Sequence, residues 1–357
     1  MAGVLPGMYK LDFNSASLNY NVTIEKSFSP KYFSPQSHII VDSSISIDLK
    51  VGDGEILVLE VSEADKTLES CEKIISYLKK RGATRDSTLI AIGGGNIQDL
   101  ATLSASLYLR GIRWEYYPTT STAMLDSCIG GKSSINVAGS KNLIGNFYPP
   151  ASIRCFTDFL CTLSDIDIAC GLIEAAKICF AKDSSTFGKF LEILQSSDLE
   201  VNEELIVLTL SAKKWFIEVD EFDKKERLLL NFGHTVGHAL ESASNFRIPH
   251  GIAVGIGCLV EMQLGQHHDD KSSSEFISTI KFLLGPAKSI LEKEVTLINY
   301  EFFHSAFVSD KKHTQSHFRI VTLMADKLEL TEFNLDEAIV KNIFDDLVSV
   351  LKEIGVE

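Results

Sequence analysis

With 357 residues, 45% of them hydrophobic and 23% charged, the chain has an ordinary globular composition and room for a large core in two domains. A formal charge of −14 excludes a broad basic face for nucleic acid, and no apolar run is long enough to span a bilayer. Seven cysteines in irregular spacing, and an opening "MAGVLPGMYKLDF" with neither a basic start nor an apolar block, are expected of a reduced, cytoplasmic protein. An anionic ligand would need a local cluster of cations working against the global field.

In chain order, "HIIVD" (38–42), "EILVLEV" (55–61), "TLIAIGGG" (88–95) and "WEYYPT" (114–119) read as buried strands. Between them, "KTLESCEKIISYLKKRG" carries apolar residues at helical spacing and stops at Gly82, and "NIQDLATLSASLYLRG" reads as the next helix. Strand and helix alternating in this way predict an α/β domain with a parallel sheet. After "DFLCTLS" (158–164) the texture turns helical: "DIDIACGLIEAAKICFAK", "EELIVLTLSAKKWFIEVDEFDKKERLL", "HTVGHALESAS" and "DEAIVKNIFDDLVSVLKEIG". The expected organisation is an N-terminal parallel-sheet nucleotide-binding domain over residues 1–160, then an all-α metal-binding domain over 161–357, with a ligand in the cleft between them.

Three segments carry chemistry. "AIGGGNIQDLA" (91–101) places three glycines between a strand and a helix, where the backbone can approach a diphosphate and the helix N-terminus supplies N–H groups; it also fits a tight turn. "TTSTAMLDSCIGGKSSINVAGSKN" (119–142) has the composition of a solvated loop, but so long a loop inside a domain points to function. Lys132 and Lys141 in it, with Arg110 before it, could supply the cations an anion requires. The third segment, "RLLLNFGHTVGHALESASNFRIPHG" (227–251), holds His234 and His238 four apart, then His250. An i, i+4 pair is metal-ligand geometry, and a catalytic zinc takes three protein ligands. Glu174 in "GLIEAAK", with Lys177 one turn on, is a fourth candidate, and spacing leaves the choice of three among these four open.

Together "GGGNIQDLA", "LYLRGIRWEYYPTTSTAMLDSCIGGKSSIN", "GSKNLIGNFYPP", "TDFLCTL", "GLIEAAK", "RLLLNFGHTVGHALE" and "PHGIAVGIG" resemble the 3-dehydroquinate synthase family of sugar phosphate cyclases, in family order across residues 93–257. Weaker likeness extends to the strand ending at Asp42, to "SEADKTLE" (62–69) and to "SDKK" (309–312). The resemblance implies that Glu174, His234 and His250 bind zinc or cobalt, and that His238 faces the substrate phosphate. NAD is implied along Asp42, Glu63, Lys66, Gly94, Gly95, Asp99, Thr119, Thr120 and Thr162. The implied pocket for a phosphorylated sugar acid comprises Asp126, Lys132, Lys141, Asn142, Lys177, Lys213, Asp223, Arg227, Asn231 and Lys311. Arg110 is implied to reach the phosphate of a neighbouring subunit, hence a homodimer.

The family's reaction oxidises a sugar-phosphate hydroxyl with bound NAD⁺, eliminates phosphate, reduces the ketone again and closes a carbocycle, so the cofactor is regenerated at every turnover. Three positions depart from the commonest pattern. Ile252 stands where a glutamate is usual and is expected to lose an acceptor beside the metal; Ser140 replaces a glycine; Asp223 is one methylene short of a glutamate. Arg227 and Asn231 together favour an acid substrate, the seven-carbon keto acid phosphate that gives 3-dehydroquinate. The rival readings are a related cyclase of secondary metabolism (making 2-deoxy-scyllo-inosose, a valiolone or an amino-dehydroquinate), a metal-dependent glycerol or alcohol dehydrogenase, and a non-catalytic binding homologue.

Overall fold

The computed structural model describes residues 7–28, 33–34, 36–45, 56–138, 140–197, 200–265, 271–295, 297–310 and 312–356. In chain order its elements are β1 (Tyr9–Phe13), β2 (Tyr20–Glu25), β3 (Ser37–Asp42), β4 (Leu57–Leu59), α1 (Leu68–Lys80), β5 (Thr88–Gly93), α2 (Gly95–Leu107), β6 (Arg113–Pro118), β7 (Ile135–Val137), β8 (Ser140–Ile144) and β9 (Ser152–Phe156). There follow α3 (Asp165–Lys182), α4 (Ser184–Ser196), α5 (Glu203–Val219), α6 (His234–Ala243), α7 (His250–Gln263), α8 (Lys271–Leu283), α9 (Lys288–Val295), α10 (Tyr300–Val308), β10 (His317–Met324), β11 (Lys327–Asn334) and α11 (Glu337–Glu353). Two units emerge: Met1–Leu163 with Glu200–Phe222, and Ser164–Leu199 with Asp223–Glu357. None of the described helices is long and apolar enough to cross a membrane.

The first unit is built on a seven-stranded sheet in the order β1-β2-β9-β6-β5-β3-β4, parallel at every pair except β1–β2. The four strands read from sequence appear at β3–β6, because apolar runs buried on both faces are the mark of a parallel sheet; one face packs Ile39, Val41, Ile90, Ile92, Tyr117 and Phe156 together. Strands β1, β2 and β9 extend the sheet beyond that reading. Val41 pairs with Ile92 and Gly93 with Pro118, so the carboxyl ends of β3, β5 and β6 lie level.

Segment 119–142 is no solvated loop. It forms a π-helical turn with buried Ala123, Met124 and Leu125, then the antiparallel pair β7–β8. Helix α5, which the sequence reading placed in the helical half, groups with the sheet and packs on β1 and β2. It also stops at Val219, short of the single helix expected to Leu229. Asp220, Glu221 and Asp223 crowd acid onto the negative end of the helix dipole, and Asp223 takes a left-handed φ of 60°.

The second unit is helical and also carries the hairpin β10–β11, paired in full register from His317↔Asn334 to Met324↔Lys327. Its spine is α7, buried from Gly251 to Met262 and apolar throughout that span except for Glu261. Glycines let neighbours touch this spine backbone to backbone. A Cβ on Gly251 would lie 2.5 Å from Cys170 Cα on α3, and one on Gly257 only 2.0 Å from Gly233 O at the start of α6. These two crossings bring one face of α3, the start of α6 and the start of α7 to a common point.

Candidate active site

In the helical unit that common point holds Glu174 from α3, His234 at the head of α6 and His250 at the head of α7. A capping box between Ser164 and Asp167 fixes the start of α3, and Glu174 lies on its fully buried face. Glu174 Oε1 stands 3.3 Å from His250 Nε2 and 3.7 Å from His234 Nε2, while Oε2 meets Lys177 Nζ at 2.5 Å. Neither carboxylate oxygen has an aligned hydrogen-bond donor despite these close charges. Each histidine's other nitrogen is already engaged: His234 Nδ1 with Phe232 O at 3.2 Å, His250 Nδ1 with Glu241 Oε2 at 3.0 Å. A carboxylate oxygen only accepts, so His250 Nδ1 carries hydrogen, whereas His234 Nδ1 lies between the Phe232 carbonyl and the donor-only Lys177 ammonium at 3.5 Å; in both rings it is Nε2 that faces Glu174.

Electrostatics agree with the geometry. Burial favours the acid form of Glu174, but Lys177, His234 and His250 hold it well below the usual carboxylate range. Burial and the Lys177 charge push His234 well below its ordinary value, so its ring is neutral. Burial pulls His250 the same way, yet Glu241 and Glu174 outweigh it and raise the ring to about 10. A proton there occupies the place a cation would take.

His238 belongs to the same cluster but is held differently. Metal-binding atoms of His234, His238 and His250 lie within 4.8 Å of one another. The Nδ1 of His238, however, faces Asp310 Oδ2 at 3.8 Å, and that carboxylate is gripped by Lys312 at 2.7 Å. Lys311 lies outside the described residues; of the "DKK" pair it is Lys312 whose placement beside His238 is seen. Arg227 is buried in the turn preceding α6, where Asn231 Nδ2 donates to Leu228 O at 3.0 Å. The acceptor expected to be lost with Ile252 is present after all: Ile252 is wholly buried, and Glu241 serves His250 from the neighbouring helix. Glu241 was missed, although it sits seven residues after His234 and so on the same helical face.

In the sheet unit the expected nucleotide residues gather at the carboxyl ends of β3, β5 and β6, where open parallel sheets bind ligands. Asp42 ends β3, the glycines close β5 and open α2, and Thr119 and Thr120 follow β6. A Cβ on Gly93 would meet Ile97 at 2.6 Å and Asp42 at 3.2 Å, and one on Gly94 would meet Thr120 at 3.0 Å. Gly94 caps α2 without a side-chain bond and the first turn has no acid, so that helix end is suited to an anion. Thr162 sits apart on an exposed 3-10 turn, its hydroxyl donating to Phe159 O.

Beside this edge, Lys66 is buried and bonds Asp99 at 2.8 Å, Asn142 Oδ1 at 3.2 Å and Glu63 at 3.3 Å; Lys141 reaches Glu63 at 3.7 Å. The charges of Asp99 and Glu63 overcome burial and hold the Lys66 ammonium above its ordinary value. Ser134 and Asn136, unforeseen, knit the β7–β8 hairpin into this network: Ser134 Oγ donates to Asn142 Oδ1 at 2.7 Å, and Asn136 Nδ2 to Glu63 O at 2.7 Å. Lys213 pairs with Asp126 at 2.8 Å. Lys132 and Arg110 are exposed, and Arg110 follows Leu109 into left-handed backbone, with φ of 68° and 49°.

The models for the two parts of the 3-dehydroquinate synthase family match adjoining stretches of the chain, the N-terminal one over residues 56–170 and the C-terminal one over 171–313. A 3-dehydroquinate synthase of Clostridium tetani is 38% identical over 265 residues, 73% of this chain and 70% of that protein. Among solved structures, 2-deoxy-scyllo-inosose synthase complexed with carbaglucose-6-phosphate, NAD⁺ and Co²⁺ has a TM-score of 0.78 at 21% identity, covering 94% of this chain and 100% of that one. The 2-epi-5-epi-valiolone synthase of Streptomyces hygroscopicus subsp. jinggangensis with NAD⁺ and Zn²⁺ bound reaches 0.75 at 20% identity, covering 95% and 99%. Those two likenesses speak for the fold; the family matches and the curated relative speak for kinship, and the chain belongs to the 3-dehydroquinate synthase family of enzymes.

Proposed function

We propose that this chain is a NAD- and divalent-metal-dependent cyclase that converts 3-deoxy-D-arabino-heptulosonate 7-phosphate into 3-dehydroquinate and phosphate. The observation that carries this reading is the buried Glu174 carboxylate, without an aligned donor, facing two imidazole Nε2 atoms. One carboxylate and two imidazoles suit zinc or cobalt, and the occupied Nδ1 atoms favour His234 and His250 over His238 as ligands. The glycine cradle at the end of β5 fits a dinucleotide, with Asp42 beside it for the ribose. When bound, the dinucleotide supplies a reversible oxidation of the substrate and the metal polarises the oxygen concerned.

The chain's own residues do the rest. Lys177, fixed by Glu174, presents an ammonium next to the histidines. His238, backed by Asp310 and Lys312, is assigned the substrate phosphate together with Lys311. Arg227, with Asn231, is assigned the substrate carboxylate by a bidentate charge-assisted pair. Asp126 with Lys213, and Lys132, Lys141 and Asn142 of the sheet unit, are assigned to substrate, and Arg110 to the phosphate in a partner subunit of a homodimer. With these cations in place a net-acidic protein can still collect a dianionic phosphate.

The test offers the seven-carbon acid phosphate, a seven-carbon ketose phosphate lacking the carboxylate and a hexose 6-phosphate, each with NAD⁺ and zinc or cobalt. Phosphate release and NADH absorbance are followed together. Phosphate is expected from the acid alone, with no net NADH. Release from a neutral sugar phosphate instead would move the chain to the cyclases of secondary metabolism, and accumulating NADH without phosphate would make it a polyol dehydrogenase.

The His250 shift adds a pH dependence. Its folded value of about 10 lies above the ordinary 6.5. In chelator-stripped protein this stabilises the fold fully below pH 6.5, and the contribution is lost as pH rises through about 10. The melting temperature of stripped protein is therefore expected to fall over that window, while cation affinity climbs because no proton need be displaced. An affinity independent of pH there would remove His250 from the ligand set.

A further inference from the structure

Helix α7 carries His250 at one end and, about three turns along, Glu261 at the other. Glu261 is completely buried, and its carboxylate accepts three backbone N–H groups from the first turn of α6: Gly233 N at 2.6 Å, Thr235 N at 3.0 Å and Val236 N at 3.0 Å. A helix ordinarily satisfies these donors with a serine, threonine, aspartate or asparagine at its own N-cap. Here the N-cap is Gly233, at a left-handed φ of 76° and without a side-chain bond. The crossing forbids anything larger, since a Cβ there would stand 2.4 Å from Cys258 Sγ and 2.6 Å from Val254 O, both on α7. The close approach that forces glycine thus strips α6 of a cap of its own, and α7 returns one through Glu261.

The residue after Gly233 is His234. We propose that Glu261 is a positioning residue for the metal site: by capping α6 from the neighbouring helix, it sets where His234 Nε2 stands relative to Glu174 and His250. The inference rests on the reading that His234 and His250 are metal ligands. A carboxylate suits the role because two oxygens can serve three donors at the positive end of a helix. Glutamine has the same shape but only one acceptor oxygen, and its amide would turn N–H toward N–H.

The experiment loads full-length wild type, Glu261→Gln and a matched control, Leu194→Ala in the core of α4, with Co²⁺ after chelation. Chelator competition gives the dissociation constant, and the visible d–d bands report ligand geometry. Glu261→Gln is expected to weaken Co²⁺ binding by roughly 10- to 100-fold, as when groups behind metal ligands are removed, and to shift the bands. Leu194→Ala should lose thermal stability while keeping the wild-type affinity and spectrum. If Glu261→Gln fails to fold, Glu261→Asp, which keeps the carboxyl group but shortens the reach, decides by the same two readouts. Wild-type affinity and spectrum in the folded variant overturn the positioning role alone. Wild-type protein that takes up no Co²⁺ sinks the metal reading, and this inference with it.

Discussion

Replacing His250 by alanine is expected to leave the chain folded, strip it of metal and lower turnover on the order of 10³-fold or more, the scale on which lost stabilisation of developing charge is felt. The choice of this ligand follows from burial. Glu174 and Lys177 are 0% and 2% exposed, so removing Glu174 would bury an ammonium without its counter-charge, at a cost of about 3–5 kcal/mol. That loss would confuse a metal effect with a folding effect. The His250 side chain is 41% exposed, and truncating it leaves Glu241 next to water. Metal per chain and turnover should therefore collapse together, while the melting temperature falls only by what the lost cation and the His250 ion pairs contributed and the chain still unfolds cooperatively. Metal retained at one per chain would mean that His238 completes the site in its place, as the 4.8 Å clustering of the three imidazoles permits.

Arg227→Ala is expected to lower kcat/KM for the acid substrate by about 100-fold, which corresponds to roughly 3 kcal/mol, the upper range for one hydrogen-bonded charge contact. Arg227 is 3% exposed, so a carboxylate paired with it would be held out of water's reach. Arg227→Lys keeps the charge but not the fork and should recover only part of the loss. The decisive measurement is a cycle with a substrate analogue lacking the carboxylate. Wild type should lose about as much on the analogue as the variant loses on the acid, and the variant should lose little more. Independent, additive losses would detach Arg227 from that group.

How far unaided sequence reaches differs between these parts of the molecule. Strands β3, β5 and β6 and helices α1 and α2 announce themselves because local signals coincide: an apolar run, a glycine, a helical stripe. The hairpin β10–β11 had a signal that was passed over, two strand-like runs around the two-residue turn at Ala325 and Asp326. The break after Val219 lay in helix-forming residues whose acidic charge at the C-terminal end prevailed over their propensity. In the site, spacing nominates four ligands and stops there. What separates His234 and His250 from His238 is the oxygen behind each Nδ1, contributed by Phe232, by Glu241 or, more distantly, by Asp310. Those partnerships depend on how helices cross, which no local window contains. The same holds for Lys312, whose partner Asp310 faces His238 from another element, and for Glu261, whose three donors lie on another helix.

The glycine contacts along α7 invert the usual ranking of what a site can spare. A ligand exchanged for another nitrogen or oxygen donor keeps the helices where they are, and chemistry can be retuned around it. A single methyl on Gly251 or Gly257, 2.5 Å from Cys170 Cα or 2.0 Å from Gly233 O, wedges two helices apart and carries the donors with them. Substitution is thus expected to cost most at positions that touch no reactant, and a redesign aimed at new substrates has its freedom in the side chains around the cluster rather than in the bare backbone beneath it.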